Sequence, residues 1–312
     1  MGCPLNLFPQ FLAAAAGTVG SGNLSEGELI GRYPALATAV AVLLSLGLLG
    51  DFYLFWRFAR PALAGGQAAN KPLLKIGLKP WSLHDVWFVT AVLVLALGLA
   101  ELVVALVVKL TRVDEGAALP WLLGTDLLLR LAVLFGFVEL FRRRGIDWSE
   151  ALGFRRQPPL RALGLGAVFF VATLPPLAVV FAAYAKLCHL VGIKDVPQPI
   201  SDLLATSDSV FVVALIIVFA VVVAPVCEEF FFRGFAYPAL KQRWGTWVAL
   251  TATSAAFAVI HLHLPSLGPL FALAVGLGLS YELTGSLLAP ITMHALFNAT
   301  NVAVILYVRT HS

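Results

Sequence analysis

Long apolar runs separated by short charged stretches dominate the chain. A helix that crosses a membrane needs about 20 mainly apolar residues at a rise of about 1.5 Å each. Runs of that kind fall at 36–58, 86–108, 118–141 and 162–187. Another begins near 210, and three more fall at 247–262, 266–281 and 285–308. Within each run the apolarity is continuous and does not alternate, which predicts helices rather than the strands of a membrane barrel. The predicted fold is all-α: a polytopic membrane helix bundle with about eight transmembrane helices. Residues 1–34 read as an N-terminal surface segment, 35–209 as the first spans and loops, and 210–308 as a C-terminal unit of the same membrane domain.

Composition strengthens this reading. Of 312 residues, 60% are hydrophobic and 12% charged, against about 45–50% and 25% in soluble domains. A core cannot hide that surplus, so a soluble enzyme is excluded. Three cysteines, an odd number, argue against a disulfide framework. The net charge is only +4 with scattered basic residues, so no nucleic-acid partner is expected and the lipid bilayer is the first partner.

Where the charges fall sets the orientation. The end of the first span and the loop after it hold Arg57, Arg60, Lys71, Lys75 and Lys79, and Arg142, Arg143, Arg144, Arg155, Arg156 and Arg161 follow the third. Arg233, Lys241 and Arg243 follow the apolar start of the fifth. The excess of Lys and Arg in cytoplasmic loops puts these on the inside and both termini outside. The phrases LLKIGLKPWSLHD and RRGIDWSEALGF in the first two of these loops read as amphipathic segments lying on anionic lipid.

A charge at mid-bilayer costs about 2.5–3.5 kcal/mol on insertion scales, so such residues are functional candidates. Glu101, Asp126, Arg130 and Glu139 are scattered over the second and third spans. Asp126 and Arg130 lie four apart on one helix face and read as a mutual pair. The C-terminal third is denser: PVCEEFFFRGFAYP at 225–238 holds Glu228, Glu229 and Arg233, SAAFAVIH ends in His261, and HALFN spans His294 to Asn298. If the fifth helix runs to about Leu240 and turns at 242–245, Glu228 and His261 both lie roughly 20 Å from the turn at 1.5 Å per residue. His294, about 15 Å into its own span on the same rise, can share that level. Glu229 and Arg233 can pair at a spacing of four, while Glu228 is rotated from Glu229 by about 100°, so the two carboxylates need not do the same job.

Two histidines and a carboxylate can hold a divalent metal and an activated water. The same groups can work without one. Glu228 then acts as general base on water, His261 orients it, and His294 and Asn298 donate to a developing oxyanion. An intramembrane Glu–His cluster also suits a proton- or ion-coupled transporter, and a non-catalytic membrane scaffold or immunity protein is the third reading. Cys227 reads as a buried bystander and Glu282 as a solvated helix-end residue. His263 reads as an interface residue pointing away from His261, Asn301 as a hydrogen-bond partner in an inner cavity, and Phe230–Phe232 as packing or lipid contact.

Three motifs in this order, Glu228-Glu229-x-x-x-Arg233, Phe257-x-x-x-His261 and His294-x-x-x-Asn298, resemble those of the CAAX prenyl protease-like family of intramembrane proteases, in its bacterial form. The similarity covers about 210–305. It implies a membrane endopeptidase of the metalloendopeptidase type, whose substrate is a membrane-associated peptide or protein. It assigns Glu228 as the catalytic carboxylate, His261 as holder of water or metal, and His294 and Asn298 as completing the site, with Glu229 and Arg233 in support. Zinc is the cofactor it admits, with Glu228, His261 and His294 as ligands. It implies a bacterial cytoplasmic membrane as the setting, with access from the membrane or cytoplasmic side.

Overall fold

The computed structural model describes residues 31–59, 76, 79–111, 115–193 and 198–311. The expected surface segment lies almost wholly outside them. Among the described residues there are helices and no strand. Helix α1 (Pro34–Leu54) begins on a proline, whose missing N–H costs nothing in a first turn, and ends in a π turn over Phe55–Ala59. Helices α2 (Leu83–Thr111) and α3 (Glu115–Arg143) follow, then α4 (Pro159–Leu190) and the short α5 (Pro199–Thr206). The long run Val210–Ile260 supplies two arms, α6 over 210–244 and α7 over 246–260. Helices α8 (Leu267–Thr284) and α9 (Leu288–His311) complete the bundle.

Among the described residues six helical runs are long and apolar enough to cross a membrane, and Val210–Ile260 is one of them. Gly245, at φ 80° and ψ 174°, breaks that run, in a region that only glycine enters at low cost. The arms fold back on each other: the rings of Phe232 and Phe257 meet at 5.4 Å. Helix α3 is also long, and Asp126, Arg130 and Glu139 interrupt its apolar run. The protein is therefore an integral, multi-spanning membrane protein, and all eight expected runs are helical.

Helix α4 lies at the centre, against α1, α8 and α9. Gly47 lets α1 approach it, since an added Cβ would stand 2.4 Å from the Val171 carbonyl oxygen. One apolar cluster joins α3, α6, α7 and α8 to the chain around 76–86, with Trp81 stacked on Phe141 at 4.9 Å and Phe137 edge-on to Phe235 at 4.7 Å.

The basic end of the bundle differs from the expectation of lipid-surface segments. Ile76, Trp81 and Leu152 are buried in protein. Trp81 donates through Nε1 to the Phe235 carbonyl at 2.9 Å, and Leu287 N–H donates to the Leu152 carbonyl at 3.1 Å. Glu282 is fully buried rather than solvated, and accepts from Tyr237 Oη, Lys241 Nζ and, at 3.4 Å, Ile76 N–H. These loops hold polar backbone that only the folded protein can satisfy, and docking satisfies it. Lys79 donates to the Ala151 carbonyl, and burial, with Arg156 adding to it, pushes its ammonium down to about 8.

Candidate active site

The site begins with an irregularity in α6. A proline inside a helix lacks a donor and its ring presses on the preceding turn. Pro225 is accommodated by a π turn over Phe219–Val223, in which Ala224 N–H donates to the Phe219 carbonyl five residues back. In that register the Ala220 carbonyl falls to residue 225, which has no N–H. Asn298 of α9 supplies the missing donor, with Nδ2 2.7 Å from the Ala220 oxygen. A second π turn over Phe230–Ala236 precedes Pro238 in the same way. Between the two lies a straight segment, Ala224–Glu229, that carries both carboxylates.

The carboxylates part as their rotation predicts. Glu229 is fully buried, and its Oε1 accepts from Arg233 Nη1 and His294 Nδ1, both at 2.9 Å. Among the described residues its Oε2 has no hydrogen-bond partner. Arg233 is not a loop charge: it is buried, donates through Nη2 to the Ala274 carbonyl at 2.8 Å, and lies over the Phe257 ring at 4.9 Å. Glu228 points toward a cavity. Its Oε2 stands 4.0 Å from His294 Nε2, and its Oε1 stands 3.5 Å from Arg130 Nη1.

Hydrogen bonding sets the histidine tautomers. A carboxylate and a carbonyl only accept, so the proton sits on Nδ1 where that atom faces them. His294 gives its Nδ1–H to Glu229, and His261 gives its own to the Phe257 carbonyl at 2.7 Å. Both rings thereby offer Nε2 as a lone pair. This is the orientation that metal-binding histidines adopt. Yet among the described residues no three His, Cys, Asp or Glu side chains stand close enough together to hold a metal ion. The donor types fit zinc; their spacing does not.

A cavity of about 960 Å³ joins these groups, lined among others by Glu228, His261, His294, Asn298 and Asn301. His263 lines it too, with Nδ1 2.7 Å from Ser266 Oγ, so it does not point away as its spacing from His261 suggested. The helix has already ended at Ile260, and helical rotation no longer governs residue 263. Cys227 is beside the site without lining the cavity.

Two contacts at the candidate site escaped the sequence. Asp126 and Arg130 do pair, at 2.8 Å, but Arg130 also reaches Glu228 from a helix almost 100 positions earlier in the chain. The only signal was a charge at membrane depth. Asn298 was read as an oxyanion donor, whereas one of its amide hydrogens is engaged by a helix carbonyl. Pro225, inside an otherwise continuous apolar run, was the signal for that.

Residues 210–300 match the family described as Type II CAAX prenyl endopeptidase Rce1-like. No curated protein and no solved structure matches the chain significantly. The matched stretch contains the buried Glu229–Arg233–His294 cluster and the cavity wall bearing Glu228 and His261. The chain thus carries a CAAX-protease-like, Rce1-like domain over residues 210–300, set within a multi-spanning membrane bundle.

Proposed function

We propose that the protein is an intramembrane endopeptidase in which Glu228 activates water. The observation that supports this best is the division of labour between two adjacent carboxylates: Glu229 is sealed in an ion-paired cluster while Glu228 faces the cavity. Water held between Glu228 and Nε2 of His261 gives a proton to Glu228, and its oxygen bonds to the acyl carbon of the scissile amide. The second Nδ2 hydrogen of Asn298 serves the carbonyl oxygen as charge develops there. His294 has committed Nδ1–H to Glu229, and its Nε2, 4.0 Å from Glu228 Oε2, orients the protonated Glu228 by accepting from it. The C–N bond then breaks and the amine leaves with the proton from Glu228. Glu229 and Arg233 position His294.

Glu228, His261 and His294 are the donors a zinc ion would use, and the proposal gives it no step. The substrate is a peptide segment of a membrane-associated protein. The basic end faces the cytoplasm and both termini face outward, by the distribution of Lys and Arg in the short loops.

The test is cleavage of a quenched peptide library by the purified full chain. Glu228→Gln is expected to lower cleavage by about 10²–10⁴-fold while the protein still folds, and unchanged cleavage removes the reading. Metal content is measured alongside. Stoichiometric zinc that His261→Ala loses, with chelation stopping cleavage, would move the activated water onto a metal.

A further inference from the structure

Helix α3 lies outside residues 210–300, where the Rce1-like domain sits, yet it reaches the candidate site. An aromatic seam sets its register against α6. Phe137 packs on Phe230 at 5.4 Å and edge-on to Phe235 at 4.7 Å, and Phe141 stacks on Phe230 at 6.2 Å. Arg130 precedes Phe137 by one heptad, two helical turns back on nearly the same face. The seam that turns Phe137 toward α6 therefore turns Arg130 toward α6 as well, and Glu228 meets it there.

Three groups hold the guanidinium. Its Nε donates to Asp126 Oδ2 at 2.8 Å, one turn earlier on α3. Its Nη1 stands 3.5 Å from Glu228 Oε1, at ion-pair distance. Its Cζ lies over the Phe219 ring at 5.1 Å, at the start of the first π turn of α6. The couple with Asp126 already answers the cost of a charge at membrane depth. The contact with Glu228 is therefore not needed to keep Arg130 in the bundle. A guanidinium carries its N–H donors in one rigid plane, so it can hold two carboxylates at once in fixed directions, as an ammonium cannot.

The contact divides the two oxygens of Glu228. Oε1 faces Arg130, and Oε2 is left facing His294 Nε2 at 4.0 Å. Glu228 and His294 line the cavity, and Arg130 does not. The guanidinium thus holds the carboxylate from behind. Direction matters at this point, because a reacting group misplaced by about 1 Å can cost about 10²-fold in rate.

We propose that Arg130 is a positioning residue for Glu228, itself held by Asp126: it anchors Oε1 from behind and so presents Oε2 to the reacting atoms. The hydrolytic unit then extends beyond 210–300 to α3. The proposal rests on the hydrolase reading of the site.

The test uses the purified full chain in detergent and one quenched peptide that it cleaves. Arg130→Ala should lower kcat at least about tenfold and leave KM within about twofold. Millimolar guanidinium ion should raise the rate of Arg130→Ala at least about threefold, and Arg130→Lys, which keeps the charge without the fork, should stand between Ala and wild type. Asp126→Asn should lower kcat about threefold in the wild-type chain and less than about 1.5-fold on Arg130→Ala, because it acts through Arg130. A purely structural role would show a loss that follows thermal stability, no recovery with guanidinium, and losses that add. The proposal is overturned if Arg130→Ala keeps kcat within about twofold, if the loss falls on KM, if neither guanidinium nor Lys recovers rate, or if the two losses add. Should Arg130→Ala not fold, Arg130→Lys and Asp126→Asn carry the same comparison, and equal kcat in both and wild type overturns it. Glu228→Gln separates the two ideas. Cleavage that survives it removes the hydrolase reading, whereas cleavage that it abolishes and Arg130→Ala leaves unimpaired removes the role of Arg130 alone.

Discussion

The α2–α3 hairpin and the α6–α9 unit are built from similarly apolar sequence and do opposite things with it. On α2, Leu95, Leu99, Leu102 and Leu110 are all exposed, as befits side chains facing lipid. On α6–α9 the exposed positions are fewer, and a buried set of polar residues, Glu229, Arg233, Ser254, Ser280, Glu282 and His294, lies between the helices. Lipid solvates an apolar side chain as well as protein does, so hydrophobicity alone cannot hold helices together. Polar groups that hydrocarbon cannot satisfy can do so. The unit with buried polar pairs is the one that forms a fixed site.

Breaking the central pair should give the largest effect. Arg233→Met leaves Glu229 buried without its cation, which costs about 3–5 kcal/mol. Thermal unfolding of the detergent-purified protein should show a large fall or a loss of folded material. Asn298→Ala leaves the Ala220 carbonyl unpaired, for about 1–3 kcal/mol. In a Pro225→Ala background residue 225 regains an N–H, and the same change should cost less. A double-mutant cycle reads that coupling.

Arg130 is the exception that links the two regions, since it belongs to α3 and touches Glu228. Arg130→Gln should lower kcat about tenfold, roughly 1.4 kcal/mol at the transition state, with KM unchanged. Arg130→Lys should restore part of the rate, and stability should move by less than about 1 kcal/mol for this partly exposed pair. On the lipid face of α2, Leu102→Ala should change stability by less than about 0.5 kcal/mol.

The docked loop should add a pH dependence of its own. The unfolded chain keeps the Lys79 proton up to the ordinary value of 10.5, whereas the folded protein releases it near about 8. Between those values the unfolded state binds more protons, so stability rises with pH. Below about 8 the cost of burying the charge is fully present. Lys79→Met should remove that slope, as seen by comparing unfolding of the two proteins across pH 7–10.5.

Much of the site was legible because its chemistry is local. Glu229 and Arg233 pair at a helical spacing of four, and the rotation between Glu228 and Glu229 follows from the same helix. Their level with His261 depended on a turn near 242–245, and Gly245 makes it. Other features were hidden because several neighbours must be known at once. Glu282 reads as solvated until Tyr237, Lys241 and the backbone of Ile76 close over it. Ile76 and Trp81 read as lipid-surface residues until the aromatic cluster of α3 and α6 receives them.

The sequence by itself determined that the chain crosses a membrane as helices, because continuous apolarity over such lengths admits no other hydrogen-bonded backbone in lipid. It also determined that Asp126 can pair with Arg130 and Glu229 with Arg233, since each couple lies four apart on one helix and unpaired charge is costly at that depth. Only the tertiary structure decided which carboxylate faces the cavity, that Arg130 joins it, and that Asn298 serves a helix carbonyl. Those outcomes depend on how helices distant in the chain pack against one another and on which carbonyl a distant asparagine must satisfy, and neither is encoded in the local pattern of any single span.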